Sequence, residues 1–229
     1  MSIQDSLGEY PRFRAVSDGR VTLEELQQTL RPGEGYLKLA TLDGATFAIF
    51  ATSEMARAYR AGVDPEALEA EVDELRATIA YVENGQTLTF PFDIEKSRAL
   101  YKALLEPVDG EVKALEHLVF EPDGAMLRLP ANLLVADDAS VDRYVERIAQ
   151  GGDDYDFTGT NWLGREVRIT TTVSPSAFRD VRRAPGSSAV REYIGFGENT
   201  PLTQERGTLG TRAALAGGAD CLWAPSIWD

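Results

Sequence analysis

The apolar residues near the start of the chain form two patterns, a helical spacing and then two largely apolar runs. Leu23, Leu26 and Leu30 recur at helical spacing behind Thr22 and Glu25, which have the spacing of a capping box, so a short helix is predicted. Two apolar runs follow, at residues 36–42 and 45–51, and Asp-Gly separates them. Asp-Gly between apolar runs favours a β-hairpin. A third short strand is predicted over Ala56–Arg60.

The next apolar stripe has the period of a long helix. It is made of residues spaced alternately four and three apart: Leu68, Val72, Leu75, Ile79 and Val82. Asp64 has the N-cap position and Pro65 the first helical one, and Asn84-Gly85 is predicted to end this helix at about residue 83. A second helix is predicted over residues 93–106.

The middle of the chain switches to short elements. His117–Glu121 is predicted to be a buried strand, with a turn at residues 122–124 in which Gly124 takes a positive φ. We expect residues 125–129 to be extended and Pro130 to open a short helical piece through residue 134. A helix capped by Ser140 is predicted over residues 140–149, followed by an acidic loop at 151–156.

The last third of the chain carries weaker patterns. A strand is predicted at residues 166–172, a short helix opened by Ser174 and Pro175, a linker at 182–189, and a final strand at 192–197. Strands and helices alternate throughout, which favours an α/β fold with helices layered on a mixed sheet. Large apolar residues then appear in an irregular tail: Trp223, Ile227 and Trp228.

Composition removes several classes of function. The net charge is −14, whereas nucleic acids and anionic membrane surfaces require a basic face. One Cys cannot form an internal disulfide, and one His with one Cys cannot supply a Cys/His zinc site. The N-terminus lacks the basic and apolar regions of a secretory signal, and no apolar run reaches the length of a membrane span. A cytoplasmic location is therefore expected.

The segment 117–134, HLVFEPDGAMLRLPANLL, resembles the signature segment of CHAT domains, a caspase- and separase-like cysteine peptidase family often found behind helical TPR repeats. The matching features are the apolar strand, Pro122-Asp123-Gly124 and Leu129-Pro130. The hairpin at 36–51, the helices at 64–83 and 93–106, and the strand with its glycine turn at 193–197 also follow the order of that family. The resemblance covers about residues 31–200 and implies a layered, caspase-like α/β/α domain.

The chain also departs from the family's catalytic pattern. The resemblance implies a catalytic His in a His-Gly pair at the end of a strand and a Cys at the end of a later one. Here His117 precedes Leu118 at the start of a strand, and Cys221 lies in the irregular tail. The expectation is thus a non-catalytic, pseudo-protease-like part, incomplete at its C-terminus. It would have a lead at 1–30, a subdomain at 31–188, and at 189–229 a first catalytic-half strand plus tail.

The resulting hypothesis is a structural or interaction role with no peptidase activity, and with no catalytic, cofactor-binding or metal-binding residue. The expected partner is a protein, either the missing catalytic half or a helical-repeat protein, with neither nucleic acid nor membrane. Self-association through Trp223 and Trp228 is a further expectation. Two alternatives stay open: an enzyme that uses His117 with Cys221 or a carboxylate pair, and a stand-alone protein-binding module.

Three local motifs are ambiguous in the sequence. Residues 154–159 match the first half of a calcium loop, but Arg165 occupies the position of its last carboxylate, which favours a solvated acidic loop. The acidic pairs around Glu69 and Asp73 are interpreted as a solvated helix face. A basic cluster, Arg179, Arg182, Arg183 and Arg191, would dock an acidic partner or the chain's own acidic face, or else belong to a solvated linker.

Overall fold

A computed structural model of the chain describes residues 20–83 and 86–184. All of them belong to one compact unit, Met1–Ala184, while the second unit, Pro185–Asp229, lies outside the described residues. The helices are α1 (Leu23–Thr29), α2 (Pro65–Ile79), α3 (Ile94–Leu105), α4 (Asp109–Lys113), α5 (Asp138–Ala149), α6 (Leu163–Glu166) and α7 (Pro175–Arg183). The strands are β1 (Glu34–Leu42), β2 (Ala45–Thr52), β3 (Ala56–Arg60), β4 (Tyr81–Glu83), β5 (Gln86–Leu88), β6 (His117–Glu121) and β7 (Arg168–Thr171).

Five of these strands form a mixed sheet in the order β3-β2-β1-β6-β7. Strand β2 is antiparallel to both of its neighbours, β1 and β3, whereas β1, β6 and β7 run parallel to one another. The predicted hairpin is confirmed: Asp43 and Gly44 have φ of 49° and 71°, the left-handed pair that a tight two-residue turn requires. The predicted third strand, Ala56–Arg60, is confirmed as well.

The two faces of the sheet differ in size. The face that we call the large face packs α2, α3 and α4 against side chains such as Leu37, Leu118 and Phe120. The opposite face, the small face, packs α1 and α7 against Tyr36 and Val119, with Leu26, Leu30 and Phe178 completing its core. Helices on both faces of a mixed sheet make three layers, so the predicted α/β architecture is confirmed.

The predicted helix starts are confirmed in three cases. Thr22 and Glu25 form the capping box in front of α1, with the backbone N–H of each residue donating to the side chain of the other. Asp64 caps α2 and Ser174 caps α7, each followed by proline at the first helical position. Each cap supplies a side-chain oxygen to a first-turn N–H, and proline suits the position after Asp64 and Ser174 because it has no N–H to leave unpaired.

The predicted end of α2 is wrong by one turn. The helix ends at Ile79, and Tyr81–Glu83 pairs with Gln86–Leu88 in a two-stranded sheet instead of continuing the helical stripe. Val82, counted as the last residue of that stripe, is exposed. The reason is that Asn-Gly between two short β-prone runs favours a hairpin more strongly than a helix end.

Two predictions between residues 125 and 149 are also wrong in detail. Gly124–Leu127 is a 3₁₀ turn, not extended chain, and begins at a glycine with φ of 55°. Helix α5 begins before Ser140, because Asp137 supplies the cap by accepting from the N–H of Ser140. The Ser140 hydroxyl instead accepts from the N–H of Asn161, which ties α5 to the segment before α6.

The last described elements shift two boundaries. Glu166 ends α6, so the strand predicted at 166–172 is reduced to Arg168–Thr171. The linker predicted from residue 182 begins later, since α7 continues through Arg183. The domain boundaries at 30/31 and 188/189 stay predictions, and the strand expected at 192–197 lies outside the described residues. Within the described part of the chain, no helix is long and apolar enough to cross a membrane.

Candidate functional site

The parallel strands bring the sole histidine beside a buried carboxylate. Glu34 and His117 are register partners at the amino ends of β1 and β6. Because side chains at alternate positions of a strand share a face, both belong to the small face with Tyr36 and Val119. Nδ1 of His117 lies 3.1 Å from Oε1 of Glu34. Arg182 on α7 donates to the same oxygen at 2.7 Å, so one carboxylate joins the sheet to the helix.

The Glu34 carboxylate is almost fully enclosed, with 8% of the residue exposed. Burial alone would raise its pKa. Hydrogen bonds from the Arg182 guanidinium, the backbone N–H of Arg31 and the His117 ring outweigh burial and lower the pKa of Glu34 to about 2. Glu34 is therefore a permanent anion at neutral pH, compensated by its neighbours.

The second ring nitrogen of His117 is also bonded. Nε2 lies 2.9 Å from Oγ1 of Thr170 on β7, so Glu34, His117 and Thr170 form a carboxylate–imidazole–hydroxyl chain across three strands. The same order of groups serves nucleophilic catalysis in hydrolase triads. Here the carboxylate also binds Arg182, which neutralises its charge and weakens its ability to stabilise an imidazolium. This row of three side chains can hold a proton in a fixed position between the strands, but the Glu34 carboxylate already forms an ion pair with Arg182.

A second polar group lies further along the same face. The hydroxyl of Tyr36 donates to Oε2 of Glu121 at 2.5 Å, and Lys38 binds the other carboxylate oxygen. Burial, with the Glu121 charge added, raises the pKa of Tyr36 well above its usual range. Phe178 on α7 packs on the Tyr36 ring at a centroid distance of 5.6 Å. The small face thus alternates buried ionic pairs with aromatic packing.

The signature segment after β6 has structural contacts. The Asp123 carboxylate accepts from the N–H of Thr41 at 2.7 Å, joining the turn to the end of β1. Arg128 donates to Asp73 at 2.6 Å and also binds Glu69, and both carboxylates stay more than half exposed, in agreement with the predicted solvated helix face. Leu129, which lies between Arg128 and Pro130 in the sequence, is buried in the core of the large face. The segment therefore fastens the sheet to α2.

The acidic loop binds an arginine rather than presenting an open carboxylate cage. Arg147 on α5 donates to the carbonyl oxygens of Asp156 and Thr158 and lies 3.5 Å from the Asp156 carboxylate. Backbone carbonyls of this kind are what a calcium loop would offer its ion. Among residues 20–83 and 86–184, no group of three His, Cys, Asp or Glu side chains is placed to hold a metal ion.

The predicted residues divide between the described ranges, 20–83 and 86–184, and the rest of the chain. Cys221, Trp223, Ile227, Trp228 and the glycine turn at 195–197 lie outside the described residues, as does Arg191. His117 begins a strand, as predicted. Of the predicted basic cluster, Arg182 binds the chain's own Glu34, which the linker interpretation missed.

Two members of the site were missed altogether. Glu34 was outside the predicted strand and Thr170 was one of several similar threonines. One signal was available for the first: Glu34, Tyr36 and Lys38 are two residues apart and share a strand face, as His117, Val119 and Glu121 do. Polar residues in alternation with buried aromatic and aliphatic ones indicate a face that buries ion pairs.

Comparison with known families gives one result. A family model described as the CHAT domain matches residues 95–221, more than half of the chain, from the first turn of α3 onwards. Comparison with curated proteins and with solved structures gives no match.

Proposed function

The chain belongs to the CHAT domain family, and we propose that it is a non-catalytic, caspase-like module whose role is to bind other proteins. The observation that carries the proposal is the place of His117. It lies at the amino end of β6 with both ring nitrogens bonded to side chains of the neighbouring strands. The family pattern would instead put the catalytic histidine at the end of a strand and before a glycine.

The end of the strand at which His117 lies matters, because reactive groups in parallel sheets gather at the carboxyl ends of the strands. Ligands in open α/β sheets bind outside the carboxyl ends of the strands. His117 lies at the amino end of β6 instead, and it is followed by Leu118 and not by glycine. A general base also needs a nitrogen within reach of the proton that it takes, and the partners of His117 are Glu34 and Thr170. This supports a structural histidine.

Exposed apolar side chains near β4 and β5 support an interaction role. Ile79, Tyr81 and Phe90 are each about half exposed, and the Tyr81 and Phe90 rings lie 6.4 Å apart. Neighbouring apolar side chains on a surface are typical of protein contacts. The proposed partners are a catalytic half or a helical-repeat protein, with a second copy of the chain bound through Trp223 and Trp228 as a further contact.

Peptide cleavage by the purified full chain tests the proposal. We expect no cleavage of a fluorogenic peptide library under reducing conditions in which papain, as the control, is active. Cleavage that disappears in Cys221→Ala would overturn the proposal and establish the chain as a cysteine peptidase. Cleavage that persists in Cys221→Ala but disappears in Glu69→Gln/Asp73→Asn would instead assign activity to a carboxylate pair.

A further inference from the structure

A shallow cleft of about 320 Å³ opens between the end of α1 and the end of α7. Its lining is Gln28, Thr29, Arg31, Arg182 and Arg183. It thus gathers three guanidinium groups in a chain whose net charge is −14. Arginines in so acidic a protein would normally be matched by carboxylates, so the partners of these three decide what the cleft is for.

Arg182 has an incomplete set of partners. Its Nη2 donates to Glu34, and its guanidinium lies 4.9 Å from the centre of the Phe178 ring. Its Nη1 is buried and has no hydrogen-bond partner within the part of the chain that the structure describes. A buried donor without an acceptor is costly, so such a group calls for an explanation.

The other two arginines are exposed, and within residues 20–83 and 86–184 no carboxylate pairs with either guanidinium. The nearby carboxylates are engaged elsewhere. Glu34 binds Arg182 and His117, and Glu24 accepts from the Gln28 amide at 3.4 Å. Three guanidinium charges against the Glu34 and Glu24 carboxylates leave an excess of positive charge around the cleft.

We propose that this cleft binds a phosphoryl oxyanion, either free phosphate or a small phosphomonoester. Guanidinium forks match the oxygens of phosphate, and a phosphate at neutral pH is an anion that the excess of guanidinium charge attracts. Nη1 of Arg182 has no exposed surface, so Arg182 contributes its charge to the cleft, while Arg31 and Arg183 supply the donors. The volume is at the small end of ligand sites and accommodates a phosphoryl group with a small carrier.

Titration of the full chain with inorganic phosphate tests the site, with sodium chloride at equal ionic strength as the reference. We expect saturable binding by calorimetry, and a dissociation constant that rises about tenfold for each of Arg31→Gln and Arg183→Gln, because each removes charge-assisted hydrogen bonds. Both side chains are exposed, so the thermal unfolding midpoint should not change. The matched control is Arg60→Gln, an exposed arginine on β3 outside the cleft.

The titrations with phosphate and phosphoserine have distinguishable results. Absence of saturable phosphate and phosphoserine binding would overturn the proposal, and so would equal weakening by Arg60→Gln, since that would indicate general charge attraction. Phosphoserine distinguishes the two sources. Tighter binding of phosphoserine than of inorganic phosphate assigns a phosphomonoester, and the reverse order assigns free phosphate. Neither result depends on peptidase activity.

Discussion

The two faces of the five-stranded sheet are built by different physical means. The large face buries aliphatic and aromatic side chains under α2, α3 and α4. The small face holds two helices on a core of only a few apolar residues, and between them it buries Glu34 and Glu121 with their cationic and hydroxyl partners. A single strand such as β6 serves both, with Leu118 on one side and Val119 on the other.

The two faces therefore differ in what determines the position of the helices packed on them. Apolar burial is strong but has no direction, so the large face is defined by shape and volume. Ion pairs lose much of their attraction to desolvation and are therefore weak sources of stability, but they require a particular geometry. The contact of Arg182 with Glu34 fixes where α7 lies on the sheet more than it fixes how strongly the domain folds.

The largest expected effect is on the large face. Leu118→Ala removes a side chain with no exposed surface and should lower the free energy of unfolding by about 3 kcal/mol, through lost burial and the cavity left behind. Urea denaturation followed by circular dichroism measures it. The matched control is Leu127→Ala, the same truncation at a 68% exposed site, which should change stability by less than about 0.5 kcal/mol. Equal effects would mean that β6 does not pack as described.

A smaller effect is expected at the ionic centre of the small face. Glu34→Gln keeps the shape but removes the charge, leaving Arg182 and His117 without their anion, and should cost about 2 kcal/mol at pH 7. Glu54→Gln, an exposed carboxylate after β2, is the control and should be neutral. A double-mutant cycle with Arg182→Gln measures the coupling, and an additive result would contradict the pairing.

The same variant predicts a specific pH dependence. The pKa of Glu34 is about 2 in the folded chain against 4.5 for an ordinary glutamate, so its charge stabilises the fold fully above pH 4.5. That contribution is lost as the pH falls from 4.5 towards 2, because Glu34 then takes up a proton in the unfolded chain but not in the folded one. The stability gap between wild type and Glu34→Gln should therefore shrink over this range. A gap that stays constant would show that Glu34 is not held as an anion.

The sequence is informative wherever a pattern is local. The hairpin at Asp43-Gly44, the capping box at Thr22 and the proline-led helices at 65 and 175 each depend on residues within a few positions, and each was predicted correctly. The large core followed from the same periodicities. Even the wrong end of α2 came from weighing two local signals, the helical stripe and Asn84-Gly85.

The site depends on contacts that no local pattern contains. Glu34 and His117 are 83 positions apart, and Glu34 and Arg182 are 148 apart. Their meeting follows from β6 pairing in parallel with β1 and from α7 returning to the small face. The sequence puts Arg182 at the start of a predicted linker, and only the crossover connection shows which carboxylate it reaches.

The smallest predicted effect tests whether the two faces open separately. Ser174→Ala and Asp64→Ala remove equivalent N-caps, from α7 on the small face and from α2 on the large face, and each should cost about 1 kcal/mol. If α7 opens while the large core stays folded, Ser174→Ala should speed its amide exchange about fivefold, and Asp64→Ala should leave it unchanged. Hydrogen exchange followed by mass spectrometry distinguishes the two. Equal acceleration of α7 amides in both variants would mean that the faces unfold as one unit, because loss of a cap on α2 can reach α7 only through opening of the whole domain.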